Sequence, residues 1–257
     1  VIPLRDQQLI RERFGRELTS RLRIDFFTQK PSPIFVPGRD CARCEDARTL
    51  LRELASLSSR ISLTIHDLDA EAKAAAGLGV DRVPGIVLRG QSNRALRFFG
   101  LPAGTLFPVF LEAMIEAAQN RYALDDAARR QLRKLKSDVT LDVYVAPHCP
   151  YSSATMHAAF KLALENVRVL VRAIDVTEFP ASAQRFAMRA VPLTVLDEAK
   201  ALPGLLDERA LAANVLLSAE GRPLQPGPGP VHVTPLQVQT PEQRTVRTSP
   251  SGLIIPR

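Results

Sequence analysis

At 257 residues with 46% hydrophobic content, the chain can bury one large core or two smaller ones, and three cysteines are too few for a disulfide framework. The net charge of +7 comes from 34 basic residues, only six of them lysine, scattered among acids as in Arg11-Glu12-Arg13. With no basic stripe interleaved with aromatics, no nucleic-acid partner is expected.

The first predicted element is an amphipathic helix with Leu9, Ile10, Phe14 and Leu18 at helical spacing. A strand follows at 22–27, alternating with period two. A long loop, residues 30–40, leads to Cys41-Ala42-Arg43-Cys44 and a helix whose apolar face is Ala47, Leu50, Leu51, Leu54 and Leu57. A strand over 61–65 runs to Asp67, and a short helical stretch ends at Val83-Pro84. Strands at 86–88 and 96–99 and a helix around 105–118 complete the set. The uncharged run from Phe98 to Leu111 is 14 residues, broken by Pro102 and Pro108, and too short to span a bilayer. No membrane partner is expected. No apolar segment with a small-residue cleavage site opens the chain, so the expectation is a cytoplasmic protein, although a start on Val1 leaves a trimmed segment open.

The order then repeats. Asp125 or Asp126 caps a helix carrying Ala128, Leu132 and Leu135; a strand covers 141–145, and Cys149-Pro150-Tyr151-Ser152 opens a helix bearing Met156, Ala159, Phe160 and Ala163. A strand over 167–174 runs to Asp175, and Val191-Pro192 precedes strands at 194–196 and near 201–202 and a helix over 207–217. Each copy reads α-β-α-β-α-β-β-α, an α/β unit with a mixed sheet flanked by helices. Eight of the 20 prolines lie in 218–257, where an extended or disordered tail is expected, with Val231-His232-Val233 and Leu253-Ile254-Ile255 as docking points. The expected divisions are 1–120, 121–217 and the tail 218–257.

The interval is the informative part. Forty-three residues separate Cys41 from Pro84, and forty-three separate Cys149 from Pro192. A thiolate is the attacking form of cysteine, and the unpaired N–H groups at a helix start favour it. Cys41 lies where loop becomes helix, with Arg39 and Arg43 beside it, and Cys44 follows one turn on. Cys41 is therefore the expected nucleophile and Cys44 the resolving thiol. A zinc site would need a second ligand pair that the sequence does not supply. A cis proline beside a reactive cysteine removes an N–H and turns the preceding backbone toward a substrate. Val83 and Val191 would then pair main-chain groups with an extended peptide, next to Pro84 and Pro192.

Cys149 has the same helix-start position, but Ser152 replaces the resolving thiol, and a hydroxyl cannot displace a disulfide sulfur. A monothiol site, a relay partner for the first site and a decayed structural copy all remain open. His148 is a candidate to help ionise Cys149, or a solvated loop histidine. Asp25 and Asp142, candidate proton acceptors, read as surface or edge residues.

These residues resemble the thioredoxin superfamily, and more closely the two-unit glutaredoxin-like protein disulfide oxidoreductases of archaea and thermophilic bacteria. The resemblance covers about residues 5–217. It rests on Cys41-Ala-Arg-Cys44, Val83-Pro84, Arg97-Phe-Phe-Gly-Leu-Pro-Ala-Gly104, Cys149-Pro-Tyr-Ser152 and Val191-Pro192. It implies two tandem thioredoxin-fold units sharing a sheet and exchanging dithiol for disulfide in protein substrates. Partners would be protein disulfides or dithiols and a reductase or low-molecular-weight thiol. No cofactor is called for beyond the redox-active disulfide and its external reductant. The second unit of such proteins usually carries Cys-Pro-Tyr-Cys; Ser152 departs from that, so by the resemblance the activity either moves to Cys41 and Cys44 or weakens. The competing readings are a glutathione-coupled monothiol activity at Cys149 and a non-catalytic binding module.

Overall fold

A computed structural model describes residues 2–29, 41–227 and 230–236. The long loop before Cys41, with Arg39, and the triplet Leu253-Ile254-Ile255 lie outside the described residues.

The chain opens with α1 (Leu4–Glu17), which buries Ile10 and Phe14 and delivers Leu18 to the core. Leu9, expected on that face, is exposed instead, because it sits one position off the i, i+4 row that Ile10 and Phe14 define. Then come β1 (Leu22–Thr28), α2 (Cys44–Ser56), β2 (Ile61–Asp67), α3 (Ala72–Leu78), β3 (Gly85–Arg89), β4 (Ala95–Phe99) and α4 (Leu106–Gln119). The second round is α5 (Asp126–Leu132), β5 (Val139–Val145), α6 (Pro150–Glu165), β6 (Val169–Asp175), α7 (Pro180–Arg185), β7 (Ala190–Val191), β8 (Leu193–Leu196), β9 (Lys200–Pro203) and α8 (Glu208–Ala219). A last two-residue strand, β10, is Thr234–Pro235. Of the two candidate caps, Asp125 starts α5, its carboxylate accepting from the amides of Ala127 and Ala128.

Among the described residues, eight strands form one sheet in the order β2-β1-β3-β4-β6-β5-β8-β9. Within each unit the βαβ pair is parallel and the closing hairpin antiparallel. The units are joined edge to edge by parallel pairing of β4 with β6, Phe98 opposite Ala173 and Phe99 opposite Ile174. The period-two alternation sorts the side chains into two layers. Ile24, Phe26, Ile86, Leu88, Phe98, Val143 and Ala173 face the large core under α1, α2, α4, α5, α6 and α8. Phe27, Val87, Phe99, Tyr144 and Ile174 face a second cluster with Ala75 of α3 and Ala183 of α7. The fold is an α/β architecture of two tandem thioredoxin-fold units with a mixed sheet flanked by helices.

Covering both faces explains one correction. Asp25 and Asp142 were expected at a surface or edge, yet both are buried, because β1 and β5 are interior strands. Each is paired: Asp25 accepts from Arg89 and contacts His66 Nε2 at 3.1 Å, and Asp142 accepts from Arg172 Nε and Nη2 at 2.6 and 2.7 Å. No helix among the described residues is long and apolar enough to cross a membrane.

Candidate active site at the Cys41–Cys44 disulfide

Cys41 and Cys44 are joined in a disulfide, their Cα atoms 5.4 Å apart. Cys44 begins α2 and is buried, whereas Cys41 stands three residues ahead of it and is half-buried. The turn between them is closed by the Cys44 amide donating to the Cys41 carbonyl at 3.4 Å. The apolar face of α2, Ala47, Leu50, Leu51 and Leu54, holds the helix in the core and thereby fixes Cys44.

The charge pattern around the pair is more balanced than the sequence suggested. Arg43 caps α2 and lies between the cysteines, but its Nε is 3.1 Å from Asp46. Asp46 and Glu45 occupy the first turn, where they complement the helix dipole themselves. Arg48 links Glu45 at 3.3 Å and Thr28 at 3.5 Å, tying the helix start to the end of β1.

That end of β1 also receives Pro84. Phe27 pairs with Gly85, directly after Pro84, as Tyr144 pairs with Leu193 after Pro192. Both Val-Pro bonds are cis. The Pro84 carbonyl accepts from Gly100, and the Pro192 carbonyl from Gly204, at 2.9 Å in each unit.

Residues that sequence reasoning passed over hold this region, and most come from the second unit. Arg82 precedes Val83; its guanidinium lies 5.6 Å from the Phe99 ring and 5.5 Å from that of Phe179, and it donates to Ser182 Oγ at 3.1 Å. Asp81, bonded to Arg82 at 2.8 Å, is also 3.7 Å from Arg172. The Phe-Phe-Gly-Leu-Pro-Ala-Gly motif acquires a physical role here. A Cβ on Gly100 would stand 2.7 Å from Asp175 Cβ, and one on Gly104 2.4 Å from the Pro147 carbonyl oxygen. Both glycines have positive φ, so only glycine lets the first unit lie this close to the second. The Leu101 amide donates to Glu178 Oε1 at 2.7 Å, and Thr105 Oγ1 donates to the carbonyls of Pro147 and Cys149, each at 3.0 Å. Burial pushes the carboxyls of Asp175 and Glu178 above their ordinary range; Arg43 is among the charges that oppose this. The signal for these residues was present in part: Asp175 stood out as the acid closing β6, and the glycine motif as a unit.

Cys149 is placed differently from Cys41. It caps α6, accepts a hydrogen bond from the Ser152 amide at 3.3 Å, and is fully buried. Its thiol donates to the Val191 carbonyl at 3.5 Å. That bond sets Val191, the residue before Pro192, against Cys149. Ser152 is buried too, and its Oγ accepts from the Ala146 amide at 3.3 Å. Among the described residues no group of three or more His, Cys, Asp or Glu side chains is arranged to hold a metal ion.

A half-buried cysteine disulfide-bonded to a buried one at a helix start, on a thioredoxin fold, is an arrangement built for thiol–disulfide exchange. Known structures share the architecture. A protein disulfide oxidoreductase from Aeropyrum pernix K1 superposes with a TM-score of 0.73 and 22% identity, covering 87% of this chain and 97% of that one. Alkylhydroperoxide reductase AhpF of Enterococcus faecalis, a C503A mutant, gives 0.73 and 18%, covering 83% and 99%. In sequence, the AhpF component of alkyl hydroperoxide reductase in Xanthomonas campestris pv. phaseoli is 28% identical over 168 residues, 65% of this chain. The chain spans 30% of that relative's length. No family model matches the chain. The relationship is a distant one to thioredoxin-fold oxidoreductases.

Proposed function

We propose that this protein is a thiol–disulfide oxidoreductase acting on protein disulfides, in the manner of the two-unit glutaredoxin-like protein disulfide oxidoreductases, with units at 1–120 and 121–217. The observation that carries the reading is the Cys41–Cys44 pairing with unequal exposure. An external dithiol or low-molecular-weight thiol reduces that disulfide, giving two protein thiols and the oxidised donor. The Cys41 thiolate then attacks a substrate disulfide; one substrate sulfur leaves as thiolate and takes a proton, and the other stays bonded to Cys41. Cys44, deprotonated, attacks the Cys41 sulfur, releases the second substrate thiolate and restores the protein disulfide. Val83, ahead of Pro84, has no strand partner among the described residues and offers its main chain to the extended substrate.

The test is reduction of insulin disulfides with a dithiol donor. Cys41→Ser abolishes turnover, and Cys44→Ser accumulates a mixed disulfide with substrate, visible by intact mass. Turnover that persists in Cys41→Ser and fails in Cys149→Ser would transfer the assignment to the second unit and its monothiol chemistry.

A further inference from the structure

The tail contributes a feature that the activity at Cys41 does not use. Residues 230–236 run extended along the second unit and form a separate two-stranded ladder with the segment that precedes the cis proline. β10 pairs antiparallel with β7, Thr234 opposite Val191 and Pro235 opposite Ala190. The Leu236 amide donates to the Arg189 carbonyl at 2.9 Å, and the Leu205 amide to the His232 carbonyl at 3.0 Å. The His232 ring lies 5.3 Å from that of Tyr151, two residues beyond Cys149. A Cβ on Gly204 would stand 2.7 Å from Val231 Cγ1, so the tail rests directly on that glycine. Leu236 packs against the apolar cluster that includes Cys149, Val191 and Leu193.

Leu101 and Leu205 each follow the glycine that bonds to the cis proline's carbonyl. The Leu101 amide is taken by a side chain, Glu178, whereas the Leu205 amide is taken by a peptide carbonyl. Val83 pairs with no strand among the described residues; Val191, whose carbonyl also accepts the Cys149 thiol, is paired with Thr234. Proline sits opposite Ala190, between the bonded positions 234 and 236, where the alternating ladder asks for no N–H.

We propose that Pro230–Leu236 is an intramolecular peptide ligand of the second unit, bound by strand addition at Ala190-Val191, and that its presence withholds Cys149 from thiol chemistry. The groove is a peptide site whose resident occupant is the chain itself. The inference stands apart from the function of Cys41 and Cys44, since the site and its readout lie in the other unit.

The experiment uses the full chain with the Cys41–Cys44 disulfide intact, so that Cys149 supplies the thiol that adds to N-ethylmaleimide. Labelling is followed by intact mass. Two variants open the site: a chain ending at Gly229, and Thr234→Pro in the full chain, which removes the N–H facing Val191. Both are expected to label Cys149 at least tenfold faster than the parent, with unchanged far-ultraviolet circular dichroism. A synthetic heptapeptide with the sequence of residues 230–236 slows labelling of the shortened chain again. Parent-like labelling rates in folded variants overturn the proposal, as does a peptide without effect on the shortened chain. Should the shortened chain fail to fold, Thr234→Pro decides alone, since it leaves every residue outside the tail in place.

Discussion

Replacing Arg172 by methionine isolates a buried ion pair of the second unit that lies beside the seam between the units. Arg172 lies on β6 at the seam with β4, and it makes two short hydrogen bonds to Asp142, which is 2% exposed. It also stands 3.7 Å from Asp81 and 3.6 Å from Glu198. Burial pushes the Asp142 carboxyl above its ordinary range against the pull of Arg172, and the hydrogen bonds to Asp142 raise Arg172 in turn. Removing the guanidinium leaves a buried carboxylate unpaired, a loss of about 3–5 kcal/mol. At about 2–4 °C per kcal/mol for a chain of this size, the melting temperature should fall by roughly 10 °C at pH 7. In the variant the folded state holds a proton on Asp142 at a pH where the unfolded chain has released it, so the deficit should shrink as pH falls toward 5. Arg172→Met with Asp142→Leu removes both charges and should return to within about 1 kcal/mol of the parent. Urea denaturation followed by circular dichroism at pH 7 and pH 5.5 measures all three. A single variant costing under about 1 kcal/mol, or a double variant no more stable than the single, would refute the reasoning.

Four further outcomes are expected. Cys149→Ser should leave most dithiol-driven insulin reduction intact, because Cys149 is buried and has no resolving thiol; a loss matching that of Cys41→Ser would reveal a relay. Asp46→Asn should free Arg43 and strip one carboxylate from the start of α2, speeding alkylation of reduced Cys41 about twofold for a gain of about 0.5 kcal/mol; an unchanged rate would show these charges to be screened. Gly104→Ala should destabilise by about 2 kcal/mol or more, since φ is +54° and the new Cβ meets the Pro147 carbonyl; a neutral result in thermal melts would mean the seam yields readily. Burial opposes a charge on His66, but Glu71 and Asp25 outweigh it and hold its pKa above the ordinary histidine value. Its contribution is therefore full below about pH 6.5 and lost as pH rises through the raised value, and His66→Gln should flatten stability over that window.

The sequence displayed the elements and the cysteine sites because both depend on local pattern. Helix faces such as Leu50, Leu51 and Leu54, the Asp125 cap and the repeated interval from cysteine to proline can all be read within a few dozen residues. What escaped depends on contacts between distant segments. Asp25 and Asp142 look like surface charges in a strand of alternating character, and only the burial of β1 and β5 on both faces turns them inward to arginines. Arg82, Arg172 and Glu178 carry no motif, since their roles arise where β4 meets β6. The strand at Ala190–Val191 could not be foreseen either, because its partner is 44 residues further on, in a segment whose prolines argue against a central strand but permit this edge pairing.

The lack of a resolving thiol at Ser152 does not make the second unit expendable, because it supports the segments around the first unit's cis proline. Val83, the proposed substrate edge, follows Asp81 and Arg82, whose charges are met by Arg172, Phe179 and Ser182 of the second unit. The Gly100-Leu101 turn that bonds to Pro84 rests on Asp175 and Glu178, and the Thr105 hydroxyl donates to the Cys149 carbonyl. The backbone around Cys149 is thus a support for the first unit whether or not its sulfur reacts. A chemical role at Cys149 can lapse without loosening those contacts, since they run through carbonyls and carboxylates and not through the thiol. A fragment ending near residue 120 should then expose the apolar edge of β4, with Phe98 and Phe99 beside an unpaired strand, and aggregate before its activity could be measured. Such a fragment, soluble and as active as the full chain, would show that Cys41 and Cys44 need no second unit.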